Sequence, residues 1–105
     1  MSLVNRLAGI GHPEEVVKLS ISAFWAMLYE MAQGKKTKAD IVSYFNLDAG
    51  ETDELQWVID RYNAQSTATA KAKFVELMLV IFMLAESHVP GYTTNADIVA
   101  RINAI

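Results

Sequence analysis

Residues 77–85, LMLVIFMLA, form the longest apolar run in the chain, with a glutamate on each side. A helix that crosses a bilayer needs about 20 apolar residues, so this short run predicts a buried helix of a protein core and no membrane partner. The alanines and lysines before the run also favour helix, with Ser66 or Thr67 as the cap. We therefore expect a central helix at about 67–87, packed on several sides because it has almost no polar face.

A second long helix is predicted at about 13–33. Pro13 suits the first turn of this helix, and Gly34 suits its end. Apolar side chains recur along it at helical spacing, at Val17, Ile21, Phe24, Leu28 and Met31. The two long helices are expected to pack against each other at the centre of the protein.

Two phrases in the sequence are nearly the same, GKKTKADIVSYFNL at 34–47 and GYTTNADIVARINA at 91–104. Each contains a Thr followed three residues later by an Asp, the spacing of a capping box at the start of a helix. The phrases therefore predict a short helix at about 38–46 and a last helix that runs to the C-terminus. The repetition has two interpretations, an internal duplication or convergent use of the same cap, and the sequence leaves both open.

Between these phrases the segment LDAGETDE interrupts the apolar pattern at Gly50. Thr52 then suits the start of a helix at about 53–63, with one apolar face formed by Leu55, Val58, Ile59 and Tyr62. The residues before Pro13 predict only a short turn. The sequence thus predicts one all-α domain spanning 1–105, a compact bundle of about five main helices with two long central ones.

Composition excludes several classes of function. The chain of 105 residues has a formal net charge of −3 and no cysteine. The absence of cysteine excludes disulfides, zinc ribbons, iron–sulfur centres and thiol nucleophiles. Because the charge is negative and no long basic run is present, attraction to nucleic acid or to an anionic membrane is expected to be weak. The N-terminal residues do not have the pattern of a secretory signal.

No motif for catalysis or metal binding is complete. A calcium-binding loop counted from Asp48 places Gly50 and Ile59 where oxygen ligands are required. His12 and His88 are the only imidazoles, and neither has a second ligand at the spacing of a helical zinc motif. We interpret them as residues at a helix entry and a helix exit. The sequence predicts a protein that is not an enzyme and has no cofactor.

A DNA-binding regulator is the alternative prediction. KADIVSYFNL followed by DELQWVIDRY has the order of a helix-turn-helix, but the second helix carries Asp53, Glu54 and Asp60 against Arg61 alone. These carboxylates would repel the phosphates that supply most of the affinity, and the connection NLDAGETD is long for this motif. The lysines available for phosphate contacts are Lys35, Lys36 and Lys38.

At GKKTKADIVSYFNLDAGETDELQWVIDRYNA (34–64) and VPGYTTNADIVARINAI (89–105), the chain resembles small helical proteins encoded among the virion genes of tailed bacteriophages. The resemblance extends from about residue 25 to the end. It implies a non-enzymatic virion component, such as a decoration, connector or tail-associated subunit, present in host cytoplasm before assembly. It carries over no site residues.

The surplus of apolar and aromatic side chains predicts association. A domain of this size can bury only part of them, and exposed apolar area on a protein surface usually marks a binding surface. We therefore predict a protein that binds copies of itself, as a homo-oligomer, or other virion proteins. Large aromatics dominate the energetics of interfaces, and the candidate interface residues are Trp25, Tyr29, Trp57, Tyr62 and Tyr92.

Overall fold

The computed structural model describes residues 2–10 and 18–105, which form six α-helices and no β-strand. The predicted all-α bundle is confirmed, with one helix more than the five main helices expected. In chain order the helices are α1 (Leu3–Ala8), α2 (Ile21–Ala32), α3 (Lys38–Phe45), α4 (Ala49–Asn63), α5 (Ala68–Glu86) and α6 (Asn95–Asn103).

The longest helix, α5, lies at the centre of the bundle, as the apolar run predicted. Its N-terminus is capped by Thr67, whose hydroxyl accepts a hydrogen bond from the backbone N–H of Ala70 at 3.0 Å. Phe74, Met78 and Phe82 are at most 2% exposed. Four other helices, α1, α2, α4 and α6, contact α5. A helix that is apolar nearly all round is thereby buried on several sides.

The second long helix is shorter than predicted. Ser20 has an extended backbone, and its hydroxyl accepts from the N–H of Ala23 at 3.2 Å, so α2 begins at residue 21 and residues 18–20 are not helical. This start differs from the predicted helix at 13–33, because a serine cap, not Pro13, begins the helix. Residues 13–17, and the predicted helix-entry residue His12, lie outside the described residues.

The rest of α2 agrees with the sequence pattern. Ile21, Phe24 and Leu28 are buried on the face that packs against the rest of the bundle. α2 contacts α5, which confirms that the two long helices pack together. The helix ends before Gly34, which has a left-handed φ of 76° that suits glycine.

The start of α4 corrects the sequence prediction. Gly50 lies within α4 and does not interrupt it, because the helix begins at Ala49 instead of residue 53. The cap is Asp48, whose side chain accepts from the N–H of Glu51 at 2.8 Å while Glu51 accepts from the N–H of Asp48 at 3.1 Å. This reciprocal capping box satisfies two backbone groups and outweighs the low helix propensity of a glycine in the first turn.

The N-terminal segment is also more than the short turn that was predicted. It forms the six-residue helix α1, which begins after Ser2 and ends at Gly9, with a left-handed φ of 69°. Isolated helices of this length are unstable in water, so packing must supply the stability of α1. Its apolar side chains are at most 2% exposed, at Leu3, Val4, Leu7 and Ala8.

A buried ion pair joins α1 to α4. Arg6 Nη1 donates to Glu51 Oε2 at 2.7 Å, and the two side chains are 8% and 1% exposed. The other oxygen of Glu51, Oε1, accepts the capping hydrogen bond from Asp48. A single carboxylate therefore holds the first turn of α4 and fixes the position of α1 against it.

Two further polar side chains, from α4 and α6, hold the N-terminal end of α1. Glu54 Oε2 accepts from the backbone N–H of Val4 at 3.0 Å and from the hydroxyl of Ser2 at 3.2 Å. The side-chain amide of Asn95, at the start of α6, donates to Asn5 Oδ1 at 2.8 Å. Because these bonds link residues far apart in sequence, they set α1 between α4 and α6, with its apolar side chains in the core.

We predict that Glu51→Ala lowers the free energy of unfolding by about 3–5 kcal/mol, because removing one partner of a buried ion pair leaves the other charge in the core. Urea denaturation followed by circular dichroism measures this change. Asp53→Ala, an exposed change two residues further along α4, is the matched control and should stay within about 0.5 kcal/mol of the wild type. Equal losses for the two variants would contradict the structural role of the pair.

Candidate interaction surfaces

Three of the five aromatic residues predicted from the sequence lie around one groove. Trp25 and Tyr29 of α2 and Tyr62 of α4 line it, together with small side chains from the N-terminal half of α5. The groove has a volume of about 820 Å³. It is larger than two other hollows on the described part of the chain, which have volumes of about 530 and 310 Å³.

Contacts among the side chains partly fill this groove. The rings of Trp25 and Tyr29 stack with their centroids 5.7 Å apart. Lys71 Nζ lies 5.3 Å from the centroid of Tyr62 and donates to the backbone carbonyl of Gln65 at 2.9 Å. The indole N–H of Trp25 is buried and has no hydrogen-bond partner among the described residues. Trp25 therefore contributes to this region through ring contacts and not through a hydrogen bond.

The other two candidate aromatics lie elsewhere. Trp57 lines a separate hollow of about 530 Å³ beside Glu54 and Asn95, where α1, α4 and α6 meet. Tyr92 lies at the turn before α6, and the guanidinium of Arg101 is 4.4 Å from its ring centroid. The five residues therefore belong to three places on the surface.

Exposure also separates the candidates. Tyr29 is 52% exposed, whereas Trp25, Trp57, Tyr62 and Tyr92 are only partly exposed and pack against the core. Four of the five thus use much of their apolar area inside the protein. Their role in an interface stays a prediction, and the structure offers a different surface with more exposed apolar side chains.

That surface is the outward face of α5. Leu77 and Val80 are 38% and 47% exposed, and Leu84, one turn further along, is partly exposed. With Lys73 before them and Ser87 after them, these residues follow one another at alternating steps of four and three positions. We call Leu77, Val80 and Leu84 the outer seam. Such spacing places side chains in a straight line along one helix face.

Apolar residues border the outer seam on both sides, together with the exposed Glu76 on the side of Met83. On one side is a hollow of about 310 Å³ between α5 and α6, lined among others by Tyr92 and Ile105. On the other side is Met83, which is 54% exposed. Residues 81, 82 and 85 of the same helix are buried, so α5 has an inward apolar face and a second one directed outward.

None of the three seam residues was among the candidates chosen from the sequence. Their spacing was a usable signal, because positions 77, 80 and 84 repeat as the apolar positions of a heptad do. This spacing could not be distinguished in the sequence, because every position from 77 to 85 is apolar. Only the packing of the other helices shows which of these residues face inward.

The two similar phrases occupy equivalent structural positions. Thr37 Oγ1 accepts from the N–H of Asp40 at 3.3 Å, and Thr94 Oγ1 accepts from the N–H of Asp97 at 3.1 Å. In both boxes the Asp carboxylate accepts from the N–H of its own Thr. The predicted capping boxes are thus confirmed for α3 and α6. Whether a duplication produced them stays open.

The same apolar positions of the two short helices enter the core. Ile41 of α3 and Ile98 of α6 are fully buried. Gly34 and Gly91 precede the two caps with left-handed φ angles of 76° and 87°. The repeated phrase therefore encodes a turn, a cap and one core side chain at the same place after each long helix.

Hydrogen bonding lowers the pKa of Asp40. The main cause is the N–H of Thr37, which donates to Asp40 Oδ2 at 2.8 Å and favours the charged carboxylate, and the Thr37 hydroxyl adds to this effect. Because the pKa in the folded state is below the ordinary 3.8, the stabilisation is present above that pH. It is lost as the pH falls through the lowered folded value.

Within residues 2–10 and 18–105, no three metal-binding side chains lie close enough together to hold an ion. No helix of these ranges is long and apolar enough to cross a membrane. His88, the predicted helix-exit residue, lies directly after α5 with a left-handed φ of 57°.

Comparison of the chain with protein-family models, with curated proteins and with solved structures finds no match in any of the three.

We predict that Thr37→Ala and Thr94→Ala each reduce the free energy of unfolding by about 1 kcal/mol, because each removes the hydroxyl that caps a helix. Thermal or urea unfolding measures the change. Ser43→Ala, an exposed position within α3, is a control without a cap and should have a smaller effect. A Thr variant of normal stability that no longer associates would show instead that the repeated phrase is a binding surface.

Proposed function

We propose that this chain is a non-enzymatic structural protein that assembles with protein subunits through apolar contacts. The observation that carries the proposal is the second apolar face of α5, where Leu77, Val80 and Met83 are exposed although this helix also forms the centre of the core. Three of the five large apolar side chains found exposed in the described residues belong to this one helix; the other two are Tyr29 and Tyr44.

Exposed apolar side chains in one line favour association because burying them in an interface lowers the free energy. Covering a side chain such as Leu or Val completely is worth about 1.5–3 kcal/mol. Scattered apolar residues are normal on a protein surface, whereas a contiguous apolar patch usually marks an interaction site. The outer seam and Met83 are contiguous along about two turns of one helix, and the hollow beside Tyr92 extends the same patch.

The particle in which such a protein would assemble is suggested by the resemblance to virion proteins of tailed bacteriophages. On this proposal the chain is a decoration, connector or tail-associated subunit. A small subunit without an active-site motif, with capped helices and a surplus of apolar surface, suits such a role. The resemblance alone supports this finer part of the proposal.

The structure removes one objection to the DNA-binding alternative and adds another. The connection between α3 and α4 consists only of residues 46–48, so its length no longer argues against a helix-turn-helix. However, α3 packs mainly against α2, whereas α4 packs against α1 and α5. Asp53 and Asp60 are exposed on α4, where they would face phosphates. Assembly through protein contacts remains the better supported function.

The mass of the wild-type protein in solution tests the proposal. Sedimentation equilibrium from micromolar to millimolar concentration should give a mass above the 11.7 kDa of one chain, rising with concentration. Because apolar burial drives the association, a kosmotropic salt such as sulfate should strengthen it. A mass of one chain throughout this range, with or without sulfate, would contradict self-assembly.

A further inference from the structure

The occupant of the outer seam can be specified further, on the premise that the proposed assembly function is correct. We propose that the outer seam pairs with the outer seam of a second copy, with the two α5 helices antiparallel and related by a two-fold axis near Val80.

The spacing of the seam fits a single partner helix. Core-facing helices of globular proteins have broad apolar faces, whereas residues at steps of four and three form the narrow stripe that packs against one other helix. Lys73, Leu77, Val80, Leu84 and Ser87 follow this rule over four steps. The three apolar members are central and the two polar ones are terminal, so the stripe has the length of a short helix pair.

The position of the apolar residues is compatible with self-pairing. In an antiparallel pair centred on Val80, a residue that precedes Val80 in one copy lies beside the residue that follows Val80 by the same number of positions in the other copy. Leu77 then lies within one residue of the level of the partner subunit's Leu84, and Val80 meets the partner subunit's Val80. A two-fold arrangement uses the same patch on both copies and therefore needs no second surface.

The charges of α5 favour the antiparallel direction. Lys73 lies near the N-terminal end of the seam, and Glu86 lies at the C-terminal end of the helix, where the helix dipole is negative. An antiparallel pair places each Lys73 near the C-terminal end of the partner subunit's α5, where the helix dipole is negative. A parallel pair would instead place the two lysines side by side, where they repel each other. Glu86 lies on a different side of α5, where it pairs with Lys18 of its own chain.

The hollow between α5 and α6 adds room for a partner's side chain. It borders Leu77 and Leu84 on one side of the seam. A two-fold axis places the hollows of the two copies on the same side of the helix pair. Each hollow then lies next to the partner copy. An interface of this kind is small compared with the roughly 800 Å² per partner of stable complexes. The dimer should accordingly be reversible and dependent on concentration.

Cysteine cross-linking tests the arrangement, because the natural chain contains no cysteine. Val80→Cys should form a disulfide-linked dimer on mild oxidation, since a disulfide needs a separation between Cα atoms of about 4.4–6.8 Å. A mixture of Leu77→Cys and Leu84→Cys proteins should form the mixed dimer, whereas either variant alone should cross-link much less. Circular dichroism of each reduced variant checks that it is folded. Thr69→Cys, an exposed position of α5 outside the seam, is the matched control and should not cross-link efficiently.

A charge change tests the direction independently. Lys73→Glu should weaken the dimer by about 3- to 30-fold, because two equivalent contacts with a helix C-terminus are reversed. Lys35→Glu makes the same change in net charge at an exposed turn and should weaken it less. The ratio of the two dissociation constants, measured by sedimentation, isolates the local effect from general repulsion.

The outcomes separate the arrangement from the assembly function. Efficient cross-linking of Leu77→Cys with itself would show a parallel pair and overturn the inference. Oligomers of wild-type protein without any cross-link along the seam would show that another surface associates, which overturns the inference and leaves the assembly function standing. A wild-type protein that is monomeric at every concentration would overturn the inference together with the self-assembly part of the proposed function.

Discussion

The carboxylate of Glu51 is the contact on which the arrangement of the bundle depends. One of its oxygens closes the capping box of α4, and the other accepts from Arg6 of α1 in a site that is almost completely buried. α1 has only six residues, too few for a helix that is stable alone. The buried pair, with Glu54 and Asn95, fixes this segment in one position, and the apolar side chains of α1 then fill the core beside α5.

The filling of the core by α1 has a consequence for α5. Once α1, α2, α4 and α6 surround this helix, its inward face has no room for more side chains, yet its outward face still carries Leu77, Val80 and Met83. A helix that only served the core would have polar residues there, as α4 has Asp53, Gln56 and Asp60. The fold of one chain leaves this outward apolar face exposed, and on our proposal a partner would remove its area from water.

Local signals in the sequence predicted the parts of the fold that depend on neighbouring residues. The capping boxes of Thr37 with Asp40 and of Thr94 with Asp97 gave the starts of α3 and α6, because the partners are three residues apart. The start of α4 was missed because Gly50 was weighted as an interruption, although Asp48 and Glu51 have the spacing of a box. The helix α1 could not be recognised, because its stability comes from contacts with α4, α5 and α6 far away in sequence. The seam was missed for the same reason, since burial of one apolar residue and exposure of the next depend on how the other helices pack.

The most direct measurement of the link between the second apolar face and association is a dilution series of amide chemical shifts by NMR. If the outer seam associates with a second copy, shifts that change with concentration should centre on Leu77, Val80 and Leu84, with smaller changes near Tyr92. The amides of α1 and of the Glu51 region should stay constant, because they belong to the core of each subunit. Shifts independent of concentration, or changes centred on the groove of Trp25, Tyr29 and Tyr62, would contradict the role assigned to α5.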